Sequence, residues 1–486
     1  MCGVVGLIGS RDASREAFLG LTTLQHRGQD AAGILTYDAG GFHKVRNLGL
    51  VDSVFTRENM TGLTGSQALG HARYATSGRG SLDDVQPLVL SYPFGISMVH
   101  NGNIVNTASL SRELREKSRR HLLTHSDTEV ILNLFADALA RATVGGAEIT
   151  FPQLCEAASA VFSRVVGSYS IVGMIAGHGI VAFRDPNGLR PLAWGKRPGG
   201  DLPSGESHMI ASETVALEFL GYKVERNFQP GELLFIDLDG KVQSRVIAAR
   251  EPRHCMFEWV YFASPESVID DVPVYGARIQ LGKALGKLVR SELAARGLGA
   301  DIVVPVPETS RIAAIALSEE LGVPYREVLI KNRYIKRTFI LDSQEKRQSA
   351  VNLKLSPVRS EIEGKRVVLV DDSIVRGTTS KKIIELVRAA GASKVYFVST
   401  CPPIQNPCYY GIDFPDRSEL LAHGRDRAAI ERELGADAVI YQDLAGLQKA
   451  IGKGLCMACL DGKYPTDVSD GAQLEEARKA DRKAVR

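Results

Sequence analysis

Short apolar runs interrupted by glycine fill the first half of this chain, while apolar runs alternating with helix-period segments fill the second. In the first half, residues 4–8, 33–36, 96–100, 169–175 and 179–183 read as β-strands joined by turns. Helices are expected near 16–25, 127–142 and 151–162, where apolar positions recur every three or four residues. From about Tyr275 the pattern changes. Segments 277–295 and 312–321 have helical spacing, and strands at 302–306, 367–370, 395–399 and 438–441 alternate with helices. That alternation predicts a mainly parallel sheet covered by helices. The change of character falls between residues 240 and 275. The expected organisation is one unit over 2–240, a second over 241–470, and a charged, solvated tail over 471–486 that lacks a sustained apolar face.

Composition sets limits on partners. The chain has 486 residues, 44% of them apolar, and a net charge of only +3 from 59 basic and 56 acidic residues. Length suggests roughly three units of about 150 residues. The charge balance gives no bulk attraction to nucleic acid or to a membrane, and no apolar run approaches the roughly 18 residues that span a bilayer. The first apolar run ends at Ser10-Arg11-Asp12 and has no basic segment before it, so no secretion signal is expected and the cytoplasm is the expected compartment. In that reducing setting the seven cysteines should be free thiols, metal ligands or catalytic groups.

Cys2 follows the initiator Met1. Removal of Met1 would place a thiol and an α-amine, of reference pKa about 7.7–8.0, on one carbon. A nucleophile activated by its own terminal amine is a known catalytic device. A buried cysteine opening an apolar strand is the plain alternative.

In the second half, 367–380 reads Val-Val-Leu-Val-Asp-Asp-Ser-Ile-Val-Arg-Gly-Thr-Thr-Ser. Four apolar residues make a buried strand. Asp371 and Asp372 stand at its C-terminal end, where open α/β sheets bind ligands, and a hydroxyl-rich loop with Gly377 then enters a helix. Open N–H groups and the helix dipole suit phosphate there, and the paired carboxylates suit ribose hydroxyls and Mg²⁺. This stretch resembles the phosphoribosyl diphosphate signature of type I phosphoribosyltransferases. The resemblance implies that Asp371 and Asp372 bind the ribose diol and Mg²⁺. It implies that Ser373, Ile374, Val375, Arg376, Gly377, Thr378 and Thr379 cradle the 5-phosphate, and that Thr309 contacts the metal. Capping of the following helix is the alternative role for Thr309 or Ser310. The basic stretch from Lys331 to Lys354-Leu355 reads either as a charged surface loop or as a lid closing on an anionic substrate.

Four first-half clusters stand in order behind Cys2: Gln25-His26-Arg27-Gly28-Gln29-Asp30, His71-Ala72-Arg73-Tyr74, His100-Asn101-Gly102-Asn103 and Ser126-Asp127-Thr128-Glu129. Together they resemble glutamine-hydrolysing domains with an N-terminal nucleophile. Arg73 suits the glutamine carboxylate and Asp127 its amine. The Asn101 amide and the Gly102 N–H suit the oxyanion of thioester formation. Taken singly, Asn-Gly is a common hairpin turn and Ser-Asp an ordinary helix cap.

From Cys2 to about Thr466 the whole chain resembles the amidophosphoribosyltransferase family, with further matching blocks at 184–192, 211–214 and 257–263. The fold implied is an α+β N-terminal-nucleophile hydrolase unit, an αββα sandwich, followed by an α/β type I phosphoribosyltransferase unit. The implied reaction cleaves glutamine at Cys2 and passes ammonia to C1 of phosphoribosyl diphosphate, giving 5-phosphoribosylamine at the start of purine synthesis. Arg337 and Lys354 would contact diphosphate, Tyr74 would couple the two sites, purine nucleotides would inhibit, and a homotetramer is implied. Cys255, Cys408, Cys456 and Cys459 match the branch that holds a [4Fe–4S] cluster; from the residues alone, Cys456-Met457-Ala458-Cys459 could also be a redox pair or a zinc half-site. Cys155 and Cys401 are expected in cores. Three features depart from the pattern: Ser264 where Arg is usual, Asn352 where a basic residue is common, and Met1 alone where the cluster branch often has a propeptide. A non-catalytic sensor of phosphoribosyl diphosphate is the competing function.

Overall fold

The strand Gly3–Ile8 is apolar at nearly every position because both its faces are covered. Val4 and Ile8 point into the space between two sheets, while Val5 and Leu7 pack under a helix. The computed structural model of the chain describes residues 1–74, 81–144, 146, 148–331, 355–414 and 416–476. Gly3–Ile8 lies at the centre of an antiparallel seven-stranded sheet, in the order Lys223–Asn227, Ala193–Pro198, Glu206–Ala211, Gly3–Ile8, Gln67–Arg73, Ala31–Asp38, Gly41–Leu48. A six-stranded antiparallel sheet faces it, ordered Val242–Val246, Glu232–Asp237, Gly179–Arg184, Gly167–Ile175, Ile96–Ile104, Leu88–Leu90. Side chains such as Leu69, Val99, Val172 and Leu234 fill the gap between them. Helices Ala13–Thr23 and Thr214–Phe219 cover the outer face of the first sheet, and Asp127–Ala142 and Phe151–Arg164 that of the second. This is the expected αββα sandwich. Strand Val242–Val246 pairs with Glu232–Asp237, so the sandwich runs past the expected end at residue 240.

The second unit is built on four parallel strands, Ile302–Pro305, Arg366–Asp371, Lys394–Ser399 and Ala438–Tyr441, in that spatial order. Helices Val274–Ala295 and Arg311–Leu321 pack on one face and Thr378–Ala389 and Arg427–Leu434 on the other. The short strands Leu329–Lys331 and Leu355–Pro357 pair antiparallel; Arg337, Asn352 and Lys354, between them, lie outside the described residues. A two-residue parallel pairing joins His254–Cys255 to Leu455–Cys456. Around it a further core combines Val105 and Leu189 of the sandwich with Trp259, Tyr410 and Ile412, so the two units share apolar surface.

The start of the expected solvated tail is docked instead. Leu474 packs on that shared core, and the Tyr409 hydroxyl donates to Glu475 at 2.6 Å. One leucine and one acceptor suffice for this, and a search for a sustained apolar stripe passes over them.

Candidate active sites and a cysteine cage

Cys2 opens the central strand and is 9% exposed. Its backbone N–H donates to Asn101 Oδ1 at 3.1 Å, and its thiol lies 3.8 Å from the Tyr74 carbonyl. Asn101 and Gly102 lie within the strand Ile96–Ile104, so this Asn-Gly is not a hairpin turn. The Asn101 Nδ2 is buried and has no hydrogen-bond partner among the described residues. A buried amide donor left open beside a nucleophile is what an oxyanion needs. A Cβ on Gly102 would come within 2.0 Å of the Ser168 carbonyl and 2.6 Å of His100 Nε2, so glycine is required by close approach. The ammonium of Met1 faces the Gly411 carbonyl at 3.5 Å, and burial pushes it down to about 6.

Asp127 begins its helix with Ser126 as cap, the Ser126 oxygen accepting from Thr128 N–H at 3.3 Å. Its carboxylate accepts from Ile104 N–H at 3.0 Å and sits 3.4 Å from His100 Nδ1. Burial opposes charge on both groups, but each favours the other's ionised form, so Asp127 moves down and His100 up. Arg73 is buried, with Asp84 at 3.8 Å.

A buried ion network that the sequence reading did not assign surrounds Cys2. Arg27 Nε donates to the Cys2 carbonyl at 3.0 Å, Nη1 to Glu213 at 2.5 Å and Nη2 to Glu258 at 3.0 Å. Glu213 also accepts from Ser264 N–H and the Ser267 hydroxyl at 2.8 and 2.7 Å. The contact made by Ser264 is through its backbone, which the departure from Arg leaves intact. Arg278 binds the same segment from the other side, donating to the carbonyls of Trp259, Tyr261 and Ala263. The sequence signal was present: Glu258 interrupts the apolar run Phe257-Glu258-Trp259-Val260. A charge inside such a run implies a buried partner without saying which.

Asp371 ends its strand, with Asp372 just beyond. The N–H groups of Thr400 and Cys401 donate to their carbonyls at 3.0 and 2.9 Å, bracing the turn. Burial, and for Asp371 its neighbour Asp372, pushes both carboxyls up. Gly377, at φ 76°, leads into Thr378–Ala389 with no side-chain cap among the described residues, an arrangement that suits an anion at the first N–H groups of that helix. Thr378 and Thr379 are exposed there and Ser373 half-buried, whereas Ile374 is buried in the core and Val375 packs against a second core, and Arg376 pairs with Glu419 at 2.8 Å. Ile374 and Val375 therefore have only backbone to offer a phosphate. Thr309 is half-buried in the turn after Ile302–Pro305, at the same end of the adjacent strand, and Ser310 turns its hydroxyl to the Val306 carbonyl rather than capping.

Cys255, Cys408, Cys456 and Cys459 line one small cavity with Tyr410, Ile412, Ala458 and Tyr464. All seven cysteines are free and buried, with Cys155 and Cys401 in cores as expected. No three His, Cys, Asp or Glu side chains among the described residues converge tightly enough for a single metal ion; the four thiols surround a space. Tyr410 N–H points at Cys408 Sγ, 3.4 Å away, and the N–H groups of Phe257 and Ala458 serve Cys255 and Cys456 in the same two-residue step. Burial pushes the Cys255 thiol up to about 11 and those of Cys456 and Cys459 in the same direction. Four soft donors around one apolar space, with amide donors aimed at sulfur, fit an iron–sulfur cluster.

Comparison with known proteins agrees with both halves. A glutamine amidotransferase domain matches residues 71–218 and a phosphoribosyl transferase domain residues 279–413. The amidophosphoribosyltransferase of Pseudomonas aeruginosa is 43% identical, covering 98% of this chain and 96% of its own length. That of Saccharomyces cerevisiae is 39% identical over 99% and 96%. A solved glutamine phosphoribosylpyrophosphate amidotransferase from B. subtilis, complexed with ADP and GMP, is 38% identical, with a TM-score of 0.83 over 96% of this chain and 98% of that one.

Proposed function

The chain belongs to the amidophosphoribosyltransferases, glutamine-dependent pentosyltransferases of purine biosynthesis, and on that premise we propose which of its residues carry each step. Cys2, freed at its α-amine by loss of Met1, attacks the glutamine amide. The Asn101 amide and the Gly102 N–H hold the oxyanion, ammonia leaves, and water cleaves the glutamyl thioester. Arg73 holds the glutamine carboxylate and Asp127 its amine, the latter while braced by His100. The assignment rests on Asn101, whose oxygen fixes the Cys2 backbone while its buried Nδ2 has no partner among the described residues.

Ammonia then moves internally to C1 of phosphoribosyl diphosphate and displaces diphosphate. Asp371 and Asp372 take the ribose diol, the open helix start at Gly377–Thr379 takes the 5-phosphate, and Arg337 and Lys354 take the diphosphate. Two adjacent carboxyls with a nearby hydroxyl are hard oxygen donors, so Asp371, Asp372 and Thr309 would hold Mg²⁺, which supplies charge neutralisation for the leaving diphosphate. Tyr74, beside the Cys2 thiol, couples the sites. Cys255, Cys408, Cys456 and Cys459 would hold a [4Fe–4S] cluster with a structural or oxygen-sensing role, because neither half-reaction moves electrons. Purine nucleotides compete around the phosphoribosyl site, a reading supported by the ADP and GMP in the B. subtilis relative. A homotetramer in the cytoplasm completes the proposal; no described helix is long and apolar enough to cross a membrane.

Glutamate release from glutamine, measured with and without phosphoribosyl diphosphate, tests the pairing of sites. Hydrolysis should be slow alone and rise with the second substrate. Absence of hydrolysis in both cases, with the Cys2 amine shown free, would remove Cys2 as nucleophile.

A further inference from the structure

Arg190 is fully buried, 0% exposed, and its neighbours belong to two different sites. Its Nε donates to the Tyr410 carbonyl at 2.9 Å, and Nη2 donates to the same oxygen. Tyr410 in turn directs its N–H to Cys408 Sγ. One residue is therefore gripped by a guanidinium at its carbonyl and by a cage sulfur at its amide. Cys255 is tied to the neighbouring residue: its N–H donates to the carbonyl of Leu189, the residue before Arg190, at 3.2 Å. The third arm of Arg190, Nη1, reaches Glu258 at 3.3 Å. Glu258 is closer to Arg27, at 3.0 Å, and Arg27 holds the Cys2 carbonyl. Glu258 is thus shared between two guanidiniums, and Arg190 also lies within electrostatic reach of Cys255 and Cys408.

We propose that Arg190 is a positioning residue common to both sites: it compensates the thiolate charge of a cluster in the cage and, through Glu258 and Arg27, holds Cys2 in place. The inference rests on the cluster reading given above. A buried cation is needed there on general grounds, since a cluster bound by four thiolates carries net negative charge into an apolar space. Glu258 divides between two guanidiniums, so the charge in the cage sets how firmly it binds Arg27.

The experiment uses full-length protein purified without oxygen, as wild type, Arg190→Gln and Arg190→Lys. Three quantities are read: iron and sulfide per chain, the rate at which EDTA bleaches the visible absorbance, and the rate of Cys2 alkylation by iodoacetamide from the mass of the N-terminal peptide. Ammonia-dependent transfer reports that the second unit is folded. Arg190→Gln should bleach about tenfold faster or more and alter Cys2 alkylation, and Arg190→Lys should restore both towards wild type. A wild type that holds iron alongside an Arg190→Gln that bleaches at the same rate overturns the role of Arg190 and leaves the cluster standing. A wild type without iron and sulfide overturns both. If Arg190→Gln does not fold, stripping iron from wild type decides: Cys2 alkylation should change with iron loss, and an unchanged rate overturns the link.

Discussion

Asn101 orients Cys2 through its amide oxygen and, in the proposed mechanism, offers its nitrogen to the oxyanion. Asn101→Ala should lower glutamine-dependent turnover about 100–1000-fold, the range seen for loss of one oxyanion donor, and leave ammonia-dependent transfer near wild type. Steady-state assays with each nitrogen source separate these outcomes; equal loss of both would contradict the assignment. Glu213 makes a pH prediction. Burial alone would raise its pKa, but Arg27 and His26 bring it down from 4.5 to about 2. A carboxylate depressed on folding stabilises fully above its unfolded value and loses that contribution as pH falls. Denaturant unfolding between pH 4.5 and 2 should therefore fall less steeply with acid in Glu213→Gln than in wild type. At this scale the residues proposed as nucleophile, oxyanion amide and ribose carboxylates are legible in the sequence, because each sits in a motif with its own chemical logic. Arg27, Glu213, Glu258 and Arg190 form a site only after four distant segments meet, so no single window contains their relation.

Among the elements, the helix Thr378–Ala389 owes the geometry of its start to one loop residue. Gly377 sits at φ 76° and aims the open N–H groups. Gly377→Ala adds a Cβ in a left-handed conformation that costs roughly 1–2 kcal/mol. The KM for phosphoribosyl diphosphate should rise about tenfold while glutaminase without that substrate is unchanged; initial-rate titrations check this. Strands buried on both faces, such as Gly3–Ile8 and the 171–175 part of Gly167–Ile175, are plain in the sequence because they hold only apolar residues and glycine. Gly41–Leu48 and Lys223–Asn227 are not, since these partly exposed edge strands carry lysine, arginine, asparagine and histidine. Edge strands are kept polar to prevent pairing with other chains, and that same property hides them from a search for apolar runs.

At the scale of the whole molecule, the cysteine cage sits inside a core that draws residues from both units. Anaerobic protein should contain about four iron and four sulfide per chain and be brown. Removing the iron should lower the melting temperature of one cooperative transition, because the core around the cage contains residues of both units. Calorimetry that showed the sandwich melting unchanged would count against a fastening role. Cys255 and Cys456 were recognisable as motif positions. Their parallel pairing through His254–Cys255 and Leu455–Cys456 was not, since two-residue strands leave no periodic trace.

The Arg27 network also has a meaning in time. A ribosome makes Cys2 almost first, and domains of such chains generally fold as they emerge. Arg27 cannot complete its bonds until Glu258 exists, and the Gly411 carbonyl that faces the N-terminus comes later still. During synthesis the growing chain therefore carries its thiol in an unfinished setting.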